Sequence, residues 1–253
     1  MSGSFSKIGE TGKTIAVEQA RQRLIVALDV PAQAEALVLA DSLGQSCRWF
    51  KVGLELFVAA GPSVVEALAG RGYSVFLDLK LHDIPNTVAS AVRSTGSLGA
   101  RMLTVHAAGG PVMLHAAQEA AAALPVAPQL LAVTVLTSMN QAQLAAIGVE
   151  RTPGEQVSLL ARMGIGAGIR GFVCSPQEVA TLRGLTGPQG VLVIPGIRPA
   201  GAAQGDQQRI ATPAMALRDG ASYLVVGRPI TQAADPVAAA EAIVAEMAGA
   251  LAV

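Results

Sequence analysis

Asp78-Leu79-Lys80-Leu81-His82-Asp83 closes the aliphatic run Ser74-Val75-Phe76-Leu77 and crowds carboxylate, amine and imidazole into six positions. A β-strand turns successive side chains to opposite faces, so Phe76, Asp78 and Lys80 share one side. Val75, Leu77, Leu79 and Leu81 share the other. A buried Asp–Lys pair is a poor stabiliser, because desolvation offsets much of the attraction. A mixed-charge cluster on an otherwise aliphatic strand is therefore a functional-site candidate.

Working outward, the same pattern repeats. Short aliphatic runs at 24–30, 48–53, 74–81, 101–107, 130–136, 171–175, 191–197 and 223–230 read as strands. Ala-rich stretches at about 33–43, 62–70, 85–98, 111–123, 155–164, 176–185, 213–220 and 235–250 read as helices, several opening on proline at the first turn. Eight βα units without a break in composition predict an α/β fold, a single-domain (β/α)₈ TIM barrel. An open doubly wound sheet would want a Gly-rich turn after strand one, where this chain has Asp29-Val30-Pro31. Residues 1–22 are expected to form a tail or a short helix closing the barrel bottom, and 23–253 the catalytic barrel.

Composition fits that picture. The 253 residues are 51% hydrophobic but only 3% aromatic, so the core must be aliphatic, as in a parallel sheet buried on both faces. Lys+Arg and Asp+Glu are both 18, which argues against a nucleic-acid or membrane surface driven by bulk charge. Cys47 and Cys174 show no metal or redox spacing and read as small buried hydrophobes. The N-terminal residues lack the apolar core of a signal peptide, and no apolar run approaches a membrane span, so a cytoplasmic location is expected.

Barrel enzymes carry their chemistry at the C-terminal ends of the strands. Polar groups fall there repeatedly: Asp29 on strand one, Lys51 on strand two, Asp78 and Lys80 on strand three, His106 on strand four, Thr137 and Ser138 after strand five, Arg198 after strand seven and Arg228 ending strand eight. Residues 199–209, Gly-containing and polar, read as a lid. His106 faces inward by alternation. His82 is expected in the turn that leaves strand three, without a catalytic role, and His115 on a helix surface.

In order along the chain, Ala27-Leu28-Asp29, Phe50-Lys51-Val52-Gly53, Asp78-Leu-Lys-Leu-His-Asp-Ile-Pro-Asn-Thr87, Thr134-Val-Leu-Thr-Ser138, Pro195-Gly-Ile-Arg198-Pro, Gly205-Asp-Gln207 and Val226-Gly227-Arg228 resemble the bacterial orotidine 5′-phosphate decarboxylase family. The DxKxxD core is shared with sugar-phosphate relatives; its Ile-Pro-Asn-Thr continuation and the downstream elements are far more specific. The resemblance implies decarboxylation of orotidine 5′-monophosphate to UMP without cofactor or metal. It implies Lys80 as proton donor to C6, Asp78 beside the substrate carboxylate, and Lys51 tying the carboxylates together. Asp29 would bind ribose, Thr137 and Ser138 the pyrimidine, and Arg198, Gln207, Gly227 and Arg228 the phosphate. It further implies a homodimer in which Asp83 and Thr87 serve the neighbouring subunit's site. Two rivals stand beside it. One is a Mg²⁺-dependent sugar-phosphate relative such as 3-keto-L-gulonate 6-phosphate decarboxylase or hexulose-phosphate synthase, for which Glu55 would be the metal ligand. The other is a nucleotide-binding barrel without turnover.

Overall fold

Eight short strands rich in β-branched and aliphatic residues define the sheet: β1 (Leu24–Ala27), β2 (Trp49–Gly53), β3 (Ser74–Leu81), β4 (Ala100–His106), β5 (Gln129–Val133), β6 (Gly171–Val173), β7 (Val191–Ile194) and β8 (Tyr223–Val226). In the computed structural model, which describes residues 4–199 and 209–252, they pair in parallel in sequence order. β8 closes on β1 through Leu24 opposite Leu224 and Val26 opposite Val226. Closure leaves no sheet edge exposed.

The helices are α1 (Ser4–Arg23), α2 (Gln33–Leu43), α3 (Leu54–Ala60), α4 (Ser63–Gly70), α5 (Pro85–Thr95), α6 (Gly110–Ala122), α7 (Gln141–Ala146), α8 (Pro153–Gly166), α9 (Val179–Thr186), α10 (Pro213–Arg218), α11 (Arg228–Thr231) and α12 (Pro236–Leu251). Local signals set their starts. Thr152 accepts from the Glu155 backbone N–H while Glu155 returns a bond to Thr152, and Asn140 with Gln143 does the same for α7. Asp235 caps α12 by accepting from Ala238 at 2.9 Å.

The alternation of the strands divides the core in two. Ile25, Ala27, Phe76, Met102, Leu131, Val193 and Val225 fill the barrel interior. The opposite faces, including Leu24, Val26, Phe50, Val52, Leu77, Leu103 and Phe172, pack against the helices. Gly171 is required inside the barrel: a Cβ there would lie 2.5 Å from both the Leu130 carbonyl oxygen and Leu131 Cδ2. Both cysteines are buried thiols, and burial pushes Cys47 up to about 12 and Cys174 upward as well, so both stay protonated and inert.

α1 lies along α12, with Ala16 and Ala20 buried and Arg21 bonded to Glu241 at 3.2 Å. Its Arg21 carbonyl accepts from Arg48 N at 3.3 Å, which places its end at the foot of β2.

Strand ends and short helices depart from the sequence expectation. β8 stops at Val226, so Arg228 opens α11 rather than ending the strand. β1, β5, β6 and β7 are also shorter than expected, because the chain leaves the ladder where polar residues begin to line the mouth. α3 and α7 were not expected; each is a short element in a stretch to which the sequence reading assigned neither helix nor strand.

The β3–β4 register matters most for the mouth. Leu77 pairs with Leu103, yet Leu81 pairs with Val105. β3 thus carries two surplus residues, an even number, so inward and outward sides keep their phase through the bulge. Lys80 sits inside it at φ 50, and among the described residues it is the sole non-glycine with positive φ.

Candidate active site

The C-terminal ends of the strands surround a cavity of about 680 Å³. Its floor is apolar: Ala27, Val133, Val173 and Val225, the top of the interior core. Asp29, Lys51, Asp78 and Lys80 form one wall, and Thr137, Ser138, Arg198, Gly227 and Arg228 also line it.

The four charged residues make an alternating chain. Lys51 Nζ lies 2.9 Å from Asp29 Oδ1 and 3.9 Å from Asp78 Oδ2. Lys80 Nζ donates to the same Asp78 Oδ2 at 2.8 Å. Asp78 and Lys51 are nearly buried, with side chains 12% exposed, whereas Asp29 is half-exposed. Each buried charge thus meets an opposite one, the condition under which such groups persist away from water. Lys51 can span two carboxylates because position 53 is glycine. A Cβ on Gly53 would come within 2.7 Å of Lys51 Nζ and 3.4 Å of Asp29 Oδ1.

Across the cavity, Arg198 is 8% exposed and donates to the Ile197 carbonyl at 2.9 Å. Burial first, and then the neighbouring positive Arg228, pull its pKa down. Two guanidiniums near enough to repel across a polar cavity form a natural seat for a doubly charged anion.

Not every expected residue reaches the cavity. Asp83 is exposed beyond the end of β3, its Oδ1 accepting from Ile84 N at 2.6 Å, and Thr87 is exposed on the first turn of α5. Neither lines this chain's own cavity. Gln207 lies outside the described residues. His106 points toward the mouth but does not line the cavity: its ring stacks on His82 with centroids 5.2 Å apart and planes 20° from parallel. Burial, then His82, then Lys80 lower its pKa, which favours the neutral ring. His115 is on the surface of α6, paired with Glu119 at 3.3 Å.

Four contributing residues were not read from the sequence. Thr104, fully buried on β4, accepts from Lys80 N at 2.8 Å and donates to Asp78 Oδ1 at 3.0 Å. It could have been found from its inward phase with Met102 and His106. Gly53 carries no chemistry of its own, so residue type gives no sign of the room it leaves for Lys51. Arg209 and Glu178 form a buried ion pair, and Arg209 also donates to the Leu136 carbonyl at 3.1 Å, next to Thr137 and Ser138. Glu178 in turn accepts from Ser175 N at 3.2 Å. This pair ties the loops after β5 and β6 to the segment that follows β7.

Comparison with known proteins places this geometry. The family model described as "Orotidine 5'-phosphate decarboxylase / HUMPS family" matches residues 22–243. The chain is 54% identical over 234 residues to an orotidine 5′-phosphate decarboxylase of Moorella thermoacetica, covering 90% of this chain and 93% of that protein. It is 54% identical over 227 residues to one of Nitrosococcus oceani, covering 90% and 98%. The crystal structure of orotidine 5′-phosphate decarboxylase from Lactobacillus acidophilus superposes with a TM-score of 0.79 at 41% identity, covering 89% of this chain and 99% of that one. With the barrel closed and the Asp-Lys-Asp-Lys wall at its mouth, this chain belongs to the orotidine 5′-phosphate decarboxylase / HUMPS family.

Proposed function

We propose that this chain decarboxylates orotidine 5′-monophosphate to UMP and CO₂, the closing step of de novo pyrimidine synthesis. The observation that carries the reading is the Asp29–Lys51–Asp78–Lys80 chain, spaced at 2.8–3.9 Å, sharing one cavity with Arg198 and Arg228. The names of the Moorella and Nitrosococcus relatives support the substrate.

The reaction breaks the bond between C6 and its carboxylate and leaves the electron pair in the ring plane, where it cannot delocalise into the π system. Without an electron sink, preorganised charge must lower the barrier. The Lys80 ammonium stabilises that pair and then gives its proton to form the C6–H bond. Solvent restores the proton to Lys80. Asp78 stands beside the departing carboxylate and, with Lys51, holds Lys80 in place. Asp29 and Lys51 bind ribose, and Thr137 and Ser138 address the pyrimidine edge. Arg198, Gly227 and Arg228 hold the phosphate, with Gln207 from the lid. Grip on the remote phosphate pins the base against Lys80.

Asp83 and Thr87, exposed and outside their own cavity, are proposed to complete the site of a second copy in a homodimer. A cytoplasmic location is part of the same proposal, in keeping with a biosynthetic role; among the described residues no helix is long and apolar enough to cross a membrane.

One observation favours a second reading: Glu55 lines the same cavity, and a metal-dependent sugar-phosphate relative would use it. The deciding measurement is the loss of orotidylate absorbance on adding enzyme, with and without EDTA and with Lys80→Ala as control. Turnover that survives EDTA and disappears in Lys80→Ala is expected. An inactive wild-type enzyme, or one silenced by the chelator, would overturn the assignment.

A further inference from the structure

We infer that Thr104 is a positioning residue for the reaction: its hydroxyl locks the left-handed backbone of Lys80 and the orientation of Asp78 in one contact. The inference rests on the decarboxylase reading above, which assigns the chemistry to Lys80.

A non-glycine residue at positive φ persists only where its surroundings over-determine it. Lys80, at φ 50, is such a residue, and it lies within the two-residue bulge between the Leu77–Leu103 and Leu81–Val105 pairs. Inside that bulge a side chain meets its N–H. Here the partner is the Thr104 Oγ1, at 2.8 Å. The same oxygen donates its proton to Asp78 Oδ1 at 3.0 Å, which leaves Asp78 Oδ2 directed at Lys80 Nζ, 2.8 Å away. Lys80 is therefore held at both ends of the residue, its amide through Thr104 and its ammonium through Asp78. Thr104 joins those two restraints into a closed ring.

The residue type suits the task. Thr104 is fully buried, so water cannot replace it, and its hydroxyl spends its one donor on Asp78 and accepts from the Lys80 N–H. Its β-branched side chain has little χ1 freedom and holds the oxygen still. Thr104 does not line the cavity, so its effect on turnover passes through Asp78 and Lys80.

The test compares Thr104→Val, which keeps the shape and removes the hydroxyl, with Thr104→Ser, which keeps the hydroxyl. Wild type is assayed with orotidine 5′-monophosphate alongside, and Lys80 amide hydrogen exchange is measured in all three. Thr104→Val is expected to lower kcat roughly ten- to hundredfold, in line with the penalty for misplacing a reacting group by about an ångström, with KM nearly unchanged. Its Lys80 amide should exchange at least tenfold faster, about the loss of one buried hydrogen bond. Thr104→Ser should stay near wild type in both. Should Thr104→Val fail to fold, Thr104→Ala takes its place in the same comparison. A hydroxyl-free variant with wild-type kcat, or a Thr104→Ser as slow as that variant, would overturn the role. An inactive wild type refutes the decarboxylase reading instead, and the exchange measurement then still decides whether Thr104 holds Lys80.

Discussion

At the N-terminal end of its strands the barrel closes on Trp49 and Tyr223, edge to face with centroids 5.3 Å apart. At the C-terminal end the same inward-facing phase carries Lys51 on β2 and Gly227 just past β8. Trp49 and Lys51 stand two residues apart on one strand and face the same interior. One meets an aromatic partner and the other two carboxylates. The lower end gains stability from apolar contact that needs only shape. The upper end holds desolvated charges and a residue in a disfavoured backbone state, features that cost stability unless something else requires them. The lesson is positional: a single strand supplies packing at its foot and reactivity at its tip.

Substitutions at the two ends should therefore separate stability from turnover. The largest effect is expected for Lys80→Ala, which should lower kcat by at least roughly 10⁴-fold, combining the loss of a general acid and of an electrostatic stabiliser. Lys80→Gly should be as inactive but more stable than Lys80→Ala by about 1 kcal/mol, since glycine relieves the positive φ; equal melting temperatures would mean that Lys80 is unstrained. Next, Arg228→Ala should cut kcat/KM about 100-fold while the melting temperature hardly moves, as expected for loss of charge-assisted bonds to phosphate. Unchanged kinetics would remove Arg228 from the phosphate site. At the opposite end, Trp49→Ala should cost about 2 kcal/mol of stability in urea titrations, below the loss for a fully buried aromatic, and leave KM unchanged. A large KM effect would erase the contrast between the ends. Gly53→Ala should lower kcat/KM about tenfold by pushing Lys51 off its carboxylates, and a normal rate would show that the ammonium can yield.

The smallest effect concerns pH. His106 has its folded pKa below the unfolded value of about 6.5, so the unfolded chain takes up a proton first as pH falls. Its contribution to stability is fully present above pH 6.5 and is lost as pH drops toward the folded pKa. His106→Gln should make the melting temperature fall less steeply as pH drops below about 6.5. An unaltered slope would assign the pH dependence elsewhere.

Much of this was legible from the sequence, because the strands are aliphatic and alternate. That alternation put Phe76 in the interior and Asp78 and Lys80 at the mouth, where the structure has them. The twisted backbone at Lys80 was not legible, since a positive φ in a lysine leaves no trace in residue type. Nor was the Glu178–Arg209 pair, which joins residues 31 apart through the fold alone. The hydroxyl of Thr104 gave a weak signal, one polar side chain among Met102, Leu103 and Val105, and was read as part of an ordinary strand. The helix at 141–146 was announced by its Asn140–Gln143 capping box but is too short to show a period.

The even count of surplus residues in β3 reaches into heredity. Loss of a single codon between Leu77 and Leu81 would put that strand end out of phase, turning aliphatic side chains into the polar mouth and ammonium into the helix layer. Removing two codons would restore the phase but erase the loop of backbone on which Lys80 stands. The gene must therefore hold the length of this segment fixed as well as the identities of Asp78 and Lys80 within it, because the two residues reach the mouth only when the count of codons between Leu77 and Leu81 is kept.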